Sequence, residues 1–195
     1  MMNFNEVSET VKARLNRDSC QCHFSGDTIS VFETKDDGKA NIDVTVTRPC
    51  IHIKCTDKYH FPLLSQKKCA DHLLLLYDEG TKTWDIHIFE LTRKIKKNKW
   101  EEKIIPQSEG ALGDAIAIIG IVCMGEYHQV YLHCGYRVNA DEASPVKLHP
   151  TLGMSAKNTD DWLNQNIILE KYSDIEIINR PIRLDEETGH ATYKV

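Results

Sequence analysis

A chain of 195 residues is long enough to bury one full core, and its apolar and charged fractions are those of an ordinary globular domain. Its 29 acidic residues outnumber 24 lysines and arginines, for a net charge of −5. That balance argues against strong non-specific binding to a polyanion unless the basic residues are gathered in one place. Seven cysteines, an odd number without a repeated CxxC spacing, point to reduced thiols in a cytoplasmic protein. Cys20-Gln-Cys22-His23 is the densest cluster, but it lacks the second ligand pair that a zinc centre needs. No basic segment followed by an apolar one opens the chain, and no apolar run reaches membrane-spanning length, so no membrane association is expected.

In chain order, Asn5 to Asn16 places Val7, Val11 and Leu15 at four-residue intervals, which predicts a short amphipathic helix. Glu6 and Glu9 are expected on its solvated face. A β-rich segment follows. Thr28 to Glu33 alternates, Asp36 to Lys39 reads as a turn, and Ala40 to Thr47 puts Ile42, Val44 and Val46 on one face. Ile51 to Cys55 forms a further strand. Thr56 to Lys68 reads as a polar loop that ends in the basic pair Lys67-Lys68, just ahead of Asp71.

His72-Leu-Leu-Leu-Leu-Tyr77 is apolar on both faces, as expected of a strand covered on both sides. Asp78-Glu-Gly-Thr-Lys82 suits a hairpin, and Trp84 to Thr92 is a partly alternating strand rich in β-branched and aromatic residues. Antiparallel pairing brings the start of the first strand beside the end of the second, so that Asp71 and Glu90 approach each other. Two converging carboxylates repel unless a proton or a cation lies between them, and a hard divalent ion prefers such oxygen ligands. Ile95 to Pro106 is a charged stretch in which Trp100 is expected to cover the core edge. Gln107 to Gly120 reads as a helix, with Pro106 at its start and Ala111, Leu112, Ala115, Ile118 and Ile119 on one face. Gln129 to Cys134 returns as a strand, Gly135 to Pro150 reads as a loop, and Thr159 or Asn158 can cap a short helix. Ile175 to Pro181 reads as an edge strand, and the polar Asp185 to His190 segment as a loose tail. His72, His87 and His133, which form no HxH or HxxxH pattern, are expected to be satisfied core histidines.

An acid, a hairpin, Glu-x-x and then a helix that opens with Gln: this order resembles the core of the PD-(D/E)xK nuclease superfamily. The resemblance covers roughly Cys69 to Cys134 and rests on Asp71, Glu90 and Gln107. It implies a single α/β domain over residues 1–195, with a mixed central β-sheet flanked by helices, a restriction-endonuclease-like core over about 69–134, and extra β-strands. Residues 1–68 then form a preceding helix and β-rich segment, and 135–195 a C-terminal extension. The resemblance also implies that Asp71 and Glu90 hold Mg²⁺ or Mn²⁺ and that Gln107 supports the site.

The family's lysine, two residues past the Glu, is replaced by Thr92, which carries no charge. Lys94 shares the strand parity of Glu90 and is the expected substitute. Two functions follow from the resemblance: a metal-dependent phosphodiesterase acting on DNA or RNA, or a catalytically inactive nuclease fold that serves recognition or regulation. A homodimer or a protein partner is open under either.

Overall fold

The structure is a computed structural model of the chain that describes residues 3–15, 20–33, 40–55, 69–122, 125–139, 163–169 and 171–195. The expected turn at Asp36–Lys39, the Lys67-Lys68 pair and the helix capped near Thr159 lie outside the described residues.

The first element is α1 (Phe4–Leu15). It is closed at its N-terminus by a reciprocal pair of hydrogen bonds. Glu6 N–H donates to Asn3 Oδ1 at 3.1 Å, and Asn3 N–H donates to Glu6 Oε2 at 2.8 Å. This is the capping box, with Asn as the cap residue. Replacing Asn3 with Ala should cost about 1 kcal/mol, measured as a fall in the denaturation midpoint without a change in its slope.

Four strands follow: β1 (Cys20–His23), β2 (Thr28–Glu33), β3 (Ala40–Thr45) and β4 (Cys50–Lys54). Next come β5 (His72–Asp78) and β6 (Thr83–Ile95), joined by a four-residue turn. Asp78 Oδ1 accepts from the N–H groups of Gly80 and Thr81 there, at 2.8 and 2.9 Å. The helical region runs through α2 (Lys97–Lys99), a π-helical turn (Trp100–Ile104) and α3 (Ile105–Val122). The chain then forms β7 (Glu126–Asn139), β8 (Ile167–Leu169), β9 (Tyr172–Asn179), β10 (Ile182–Arg183) and β11 (His190–Lys194).

Eight of the strands make one mixed sheet in the order β1-β4-β5-β6-β7-β9-β8, with β10 alongside β7. Strands β4, β5 and β6 form an antiparallel meander. The helical region then carries the chain over to β7, which runs parallel to β6. The remaining strands β11-β3-β2 make a second sheet of three.

The two faces of the large sheet explain the doubly apolar run at His72–Tyr77. Leu73 and Leu75 pack with Ile86 and Ile88 against α1 and α3, where Val7, Val11, Ala111, Leu112, Ala115, Ile118 and Ile119 are buried. Leu74 and Leu76 pack with Phe89 and Leu91 against Ile29, Val31, Ile42 and Val44 of the small sheet and the adjoining Val46. The molecule is therefore layered as helix, large sheet and small sheet. The expectation of a sheet flanked by helices holds for one face; on the other, β2 and β3 leave the main sheet and cover it, while β1 and β4 stay within it. The Asp185–His190 segment expected to be loose is instead a bonded turn that leads into the strand completing that cover. β11 pairs parallel to β3 from His190↔Asn41 to Lys194↔Thr45, and Asp185 Oδ1 gathers the Glu187 and Thr188 N–H groups in the turn before it. Strand β9 is not at an edge either, because it pairs with β7 on one side and β8 on the other.

The helix begins earlier than its sequence pattern suggests. Gln107 to Gly120 is the second half of a helical region that starts at Lys97, and Pro106 lies inside it. A proline there has no N–H for the carbonyl four residues back, and its ring crowds that carbonyl. The wide turn absorbs the conflict: the N–H of Ile105 donates to Trp100 O, five residues back, so the backbone is already expanded where the ring must fit. Trp100 is buried at the core edge, as its setting among charges predicted. The helix Lys97–Ile121 has the length and apolar composition of a membrane span, but half of its most apolar window is buried inside the fold, as in the core helix of a globular protein.

Candidate functional site

Asp71 and Glu90 meet. The register pairs His72 with Phe89, which sets the residue before β5 beside Glu90 and Leu91 of β6. Asp71 Oδ2 accepts the Leu91 N–H at 2.7 Å. Glu90 follows the parity of Ile86 and Ile88, so it lies on the helix-covered face and is wholly buried. Its Oε1 accepts from Lys103 Nζ at 3.2 Å, while its Oε2 is buried without a hydrogen-bond partner among the described residues.

A third acid approaches from the small sheet: Glu33, at the end of β2, lies close enough for its charge to act on Asp71. Burial pushes Asp71 up to about 6: the Leu91 N–H opposes the shift, and the charge of Glu33 adds to it. Burial also pushes Glu90 up to about 8, with Asp71 adding to the shift and Lys103 opposing it.

Lysines approach from the helical side. Lys99 and Lys103 are one turn apart across α2 and the π-helical turn. The Lys99 amine donates to Thr92 Oγ1 and, at 3.3 Å, to the carbonyl of Lys94. Thr92 Oγ1 itself donates to that carbonyl at 3.1 Å. Burial and the neighbouring Lys103 charge lower the Lys99 pKa, whereas Glu90 supports its protonated form. Lys94, the substitute expected from strand parity, is exposed, and the amine that meets Glu90 belongs to Lys103.

Gln107 lies behind the acids. Its Nε2 donates to the Cys69 carbonyl at 3.0 Å, which ties α3 to the segment that delivers Asp71. Its Oε1 is buried without a hydrogen-bond partner among the described residues. Cys134 of β7 lies opposite Glu90, and its thiol is pushed up by burial and by that carboxylate.

The structure brings Asp71, Glu90 and Gln107, all singled out from the sequence, into one neighbourhood, and adds Glu33, Lys99 and Lys103, which the sequence reading did not single out. The four-residue spacing of the two lysines was the available signal. It becomes legible once the helix is started at Lys97 rather than Gln107. Glu33 carries no local signal, because only the packing of the small sheet brings it to Asp71.

Among the described residues no three His, Cys, Asp or Glu side chains converge as metal ligands. Two adjacent carboxylates, one with an unpartnered buried oxygen, still suit a small hard cation that completes its shell with water, as Mg²⁺ does. Compared with known proteins, the chain matches no family model, no curated protein sequence and no solved structure.

Proposed function

We propose that the chain is a metal-dependent phosphodiesterase of the PD-(D/E)xK type acting on DNA or RNA, in which the missing strand lysine is replaced from the helix. The observation that carries this reading is the position of two amines. Lys99 reaches the hydroxyl of Thr92, the residue that stands in the lysine's place, and Lys103 reaches Glu90. The element order agrees with it: a helix, a three-strand meander bearing the acids, a crossover helix and a parallel strand.

Asp71 and Glu90 are the residues to hold Mg²⁺ or Mn²⁺, which when bound polarises a phosphate and lowers the pKa of a coordinated water. Lys103 and Lys99 place positive charge where a phosphorane would gather negative charge. The Leu91 N–H fixes the orientation of Asp71, and Gln107 holds the segment that carries it.

The experiment is incubation of the protein with plasmid, single-stranded DNA and RNA in Mg²⁺ or Mn²⁺, beside Asp71→Ala, Lys99→Gln and Lys103→Gln. Wild type should cleave at least one substrate, Asp71→Ala should not, and each lysine variant should lose about 10²-fold. Cleavage that survives in Asp71→Ala, or none by any protein with any substrate, overturns the reading.

One observation favours the inactive alternative. The Lys103 ammonium already sits on Glu90 Oε1, where a cation would bind. In an inactive fold, Lys103→Gln should neither create nor abolish cleavage, and Mg²⁺ should leave the melting temperature unchanged.

A further inference from the structure

The helix-covered face of the large sheet carries two thiols at one end. Cys55 follows β4 directly, and Cys69 lies just before β5. Both are half-buried and unbridged, and both pack against the core that the helices cover. Cys50 and Cys134, by contrast, are buried outright.

The register brings the two thiols together. Ile53 pairs with Leu73, and Lys54 with His72. One step further the Cys55 N–H donates to the Asp71 carbonyl at 2.9 Å, so the two chains stay side by side beyond the last paired residues. Side chains alternate along a strand, which leaves Cys55 on the face of Ile51 and Ile53, and Cys69 on that of Leu73 and Leu75. Cys69 is therefore the diagonal neighbour of Cys55 on one face, and such neighbours are within side-chain reach of each other. Cys69 also precedes β5, where the spacing of the ladder no longer holds the chains apart.

Helix α3 closes over the pair. Gln107 Nε2 donates to the Cys69 carbonyl at 3.0 Å. Asp114, two turns further along the same helix face and buried, acts on the Cys69 thiol. The Cys55 thiol, burial and the Asp114 carboxyl together push the Cys69 thiol up, as expected of two sulfurs that lie beside each other. Cys20 and Cys22 share one extended strand, whose rise sets them about 6.7 Å apart, at the far limit of what a disulfide spans.

We infer that Cys55 and Cys69 are a redox-active dithiol that closes to a disulfide when it meets a small-molecule disulfide. One thiolate of the pair attacks a sulfur of the reagent, the reagent's S–S bond breaks, and one half leaves as a thiolate. The second protein thiol gives its proton to water, attacks the mixed disulfide and expels the other half. The protein gives up two electrons and two protons, and the reagent is reduced to two thiols. The new bond ties the end of β4 to the segment that delivers Asp71, whether or not Asp71 and Glu90 hold a metal.

The test exposes the reduced full chain to oxidised glutathione, blocks the remaining thiols by alkylation and maps the unreduced peptides by mass spectrometry. The expected main product is a Cys55–Cys69 linked peptide, from a chain lighter by two hydrogens, and dithiothreitol should reverse it. A cross-link between positions 14 apart restricts the unfolded chain, so the oxidised protein should melt higher, by roughly 5 °C. Cys55→Ser and Cys69→Ser should each abolish both the link and the rise, whereas Cys20→Ser should keep both. Glutathione retained on either thiol, a main link to another cysteine, thiols that stay open to alkylation, or an oxidised form that melts no higher than the reduced one overturns the inference.

Discussion

The protein should lose stability as the pH rises from about 5 to about 8.5 in the absence of divalent cations, and Glu90→Gln should remove most of that loss. The cause is the buried carboxylate pair. In the unfolded chain both acids give up their protons near pH 4. In the folded protein Asp71 keeps its proton to about 6 and Glu90 to about 8. Across that window the folded state binds more protons than the unfolded state, so the unfolding free energy falls as the pH rises. The stabilising difference is fully present below pH 4 and is lost as the pH passes through the folded values. For a wholly buried group such as Glu90 the change is on the order of several kcal/mol.

An amide at position 90 cannot ionise, so Glu90→Gln should melt at a higher temperature than wild type at pH 8.5 and at a similar one at pH 5. A cation that binds the ionised pair acts in the opposite direction and stabilises the fold by mass action. Millimolar Mg²⁺ should therefore raise the wild-type melting temperature at pH 8.5 and leave Glu90→Gln unaffected. Melting curves at the two pH values, in chelator and in Mg²⁺, contain the whole test. A wild-type curve at pH 8.5 that ignores Mg²⁺ speaks against cation binding at Asp71 and Glu90. A flat pH profile in chelator speaks against their being buried together at all.

Gly135→Val should destabilise the protein by about 1–3 kcal/mol, as overpacking of a well-filled core does. Gly135 lies on β7 where the small sheet closes over the large one. A Cβ there would stand 2.6 Å from Leu91 Cδ2 and 3.0 Å from Ile42 Cδ1. Leu91 belongs to β6, next to Glu90, and Ile42 to β3 of the small sheet. Both side chains are buried, at 2 % and 0 % exposure, so neither has free space to retreat into. The side-chain ends must shift within a filled core, which loosens the small sheet over the large one. For a domain of this size each kcal/mol moves the melting temperature by about 2–4 °C. The substitution should therefore lower it measurably and reduce the pH dependence of stability, because a loosened small sheet exposes the acids to water. Unchanged melting would show that the two sheets do not meet at Gly135.

Local pattern by itself determined the hairpin, the amphipathic face of α3 and the meeting of Asp71 with Glu90. Each of these depends on near neighbours in the chain. A two-residue period, turn residues at fixed offsets and antiparallel pairing across a short loop leave little freedom, so an acid at the start of β5 and one near the end of β6 must come together. The apolar run on both faces of β5 also announced that two layers would cover it. What that second layer is made of depended on the tertiary structure. Strands β2 and β3 have the same alternation whether they extend the main sheet or leave it, and the polar Asp185–His190 segment that leads into β11 reads as a loose tail. Only closure of β11 onto β3, nearly 150 residues away in sequence, decides between them. The lysines follow the same logic. Pro106 marks a helix start by its usual preference, and only the wide turn from Trp100 to Ile104, supported by burial of Trp100 and Ile104, lets the helix begin early enough to swing Lys99 and Lys103 over the acids. The acids are a product of adjacent strands and were therefore legible in the sequence. The charge that answers them, like Glu33 beneath, depends on packing between distant elements, which no local period encodes.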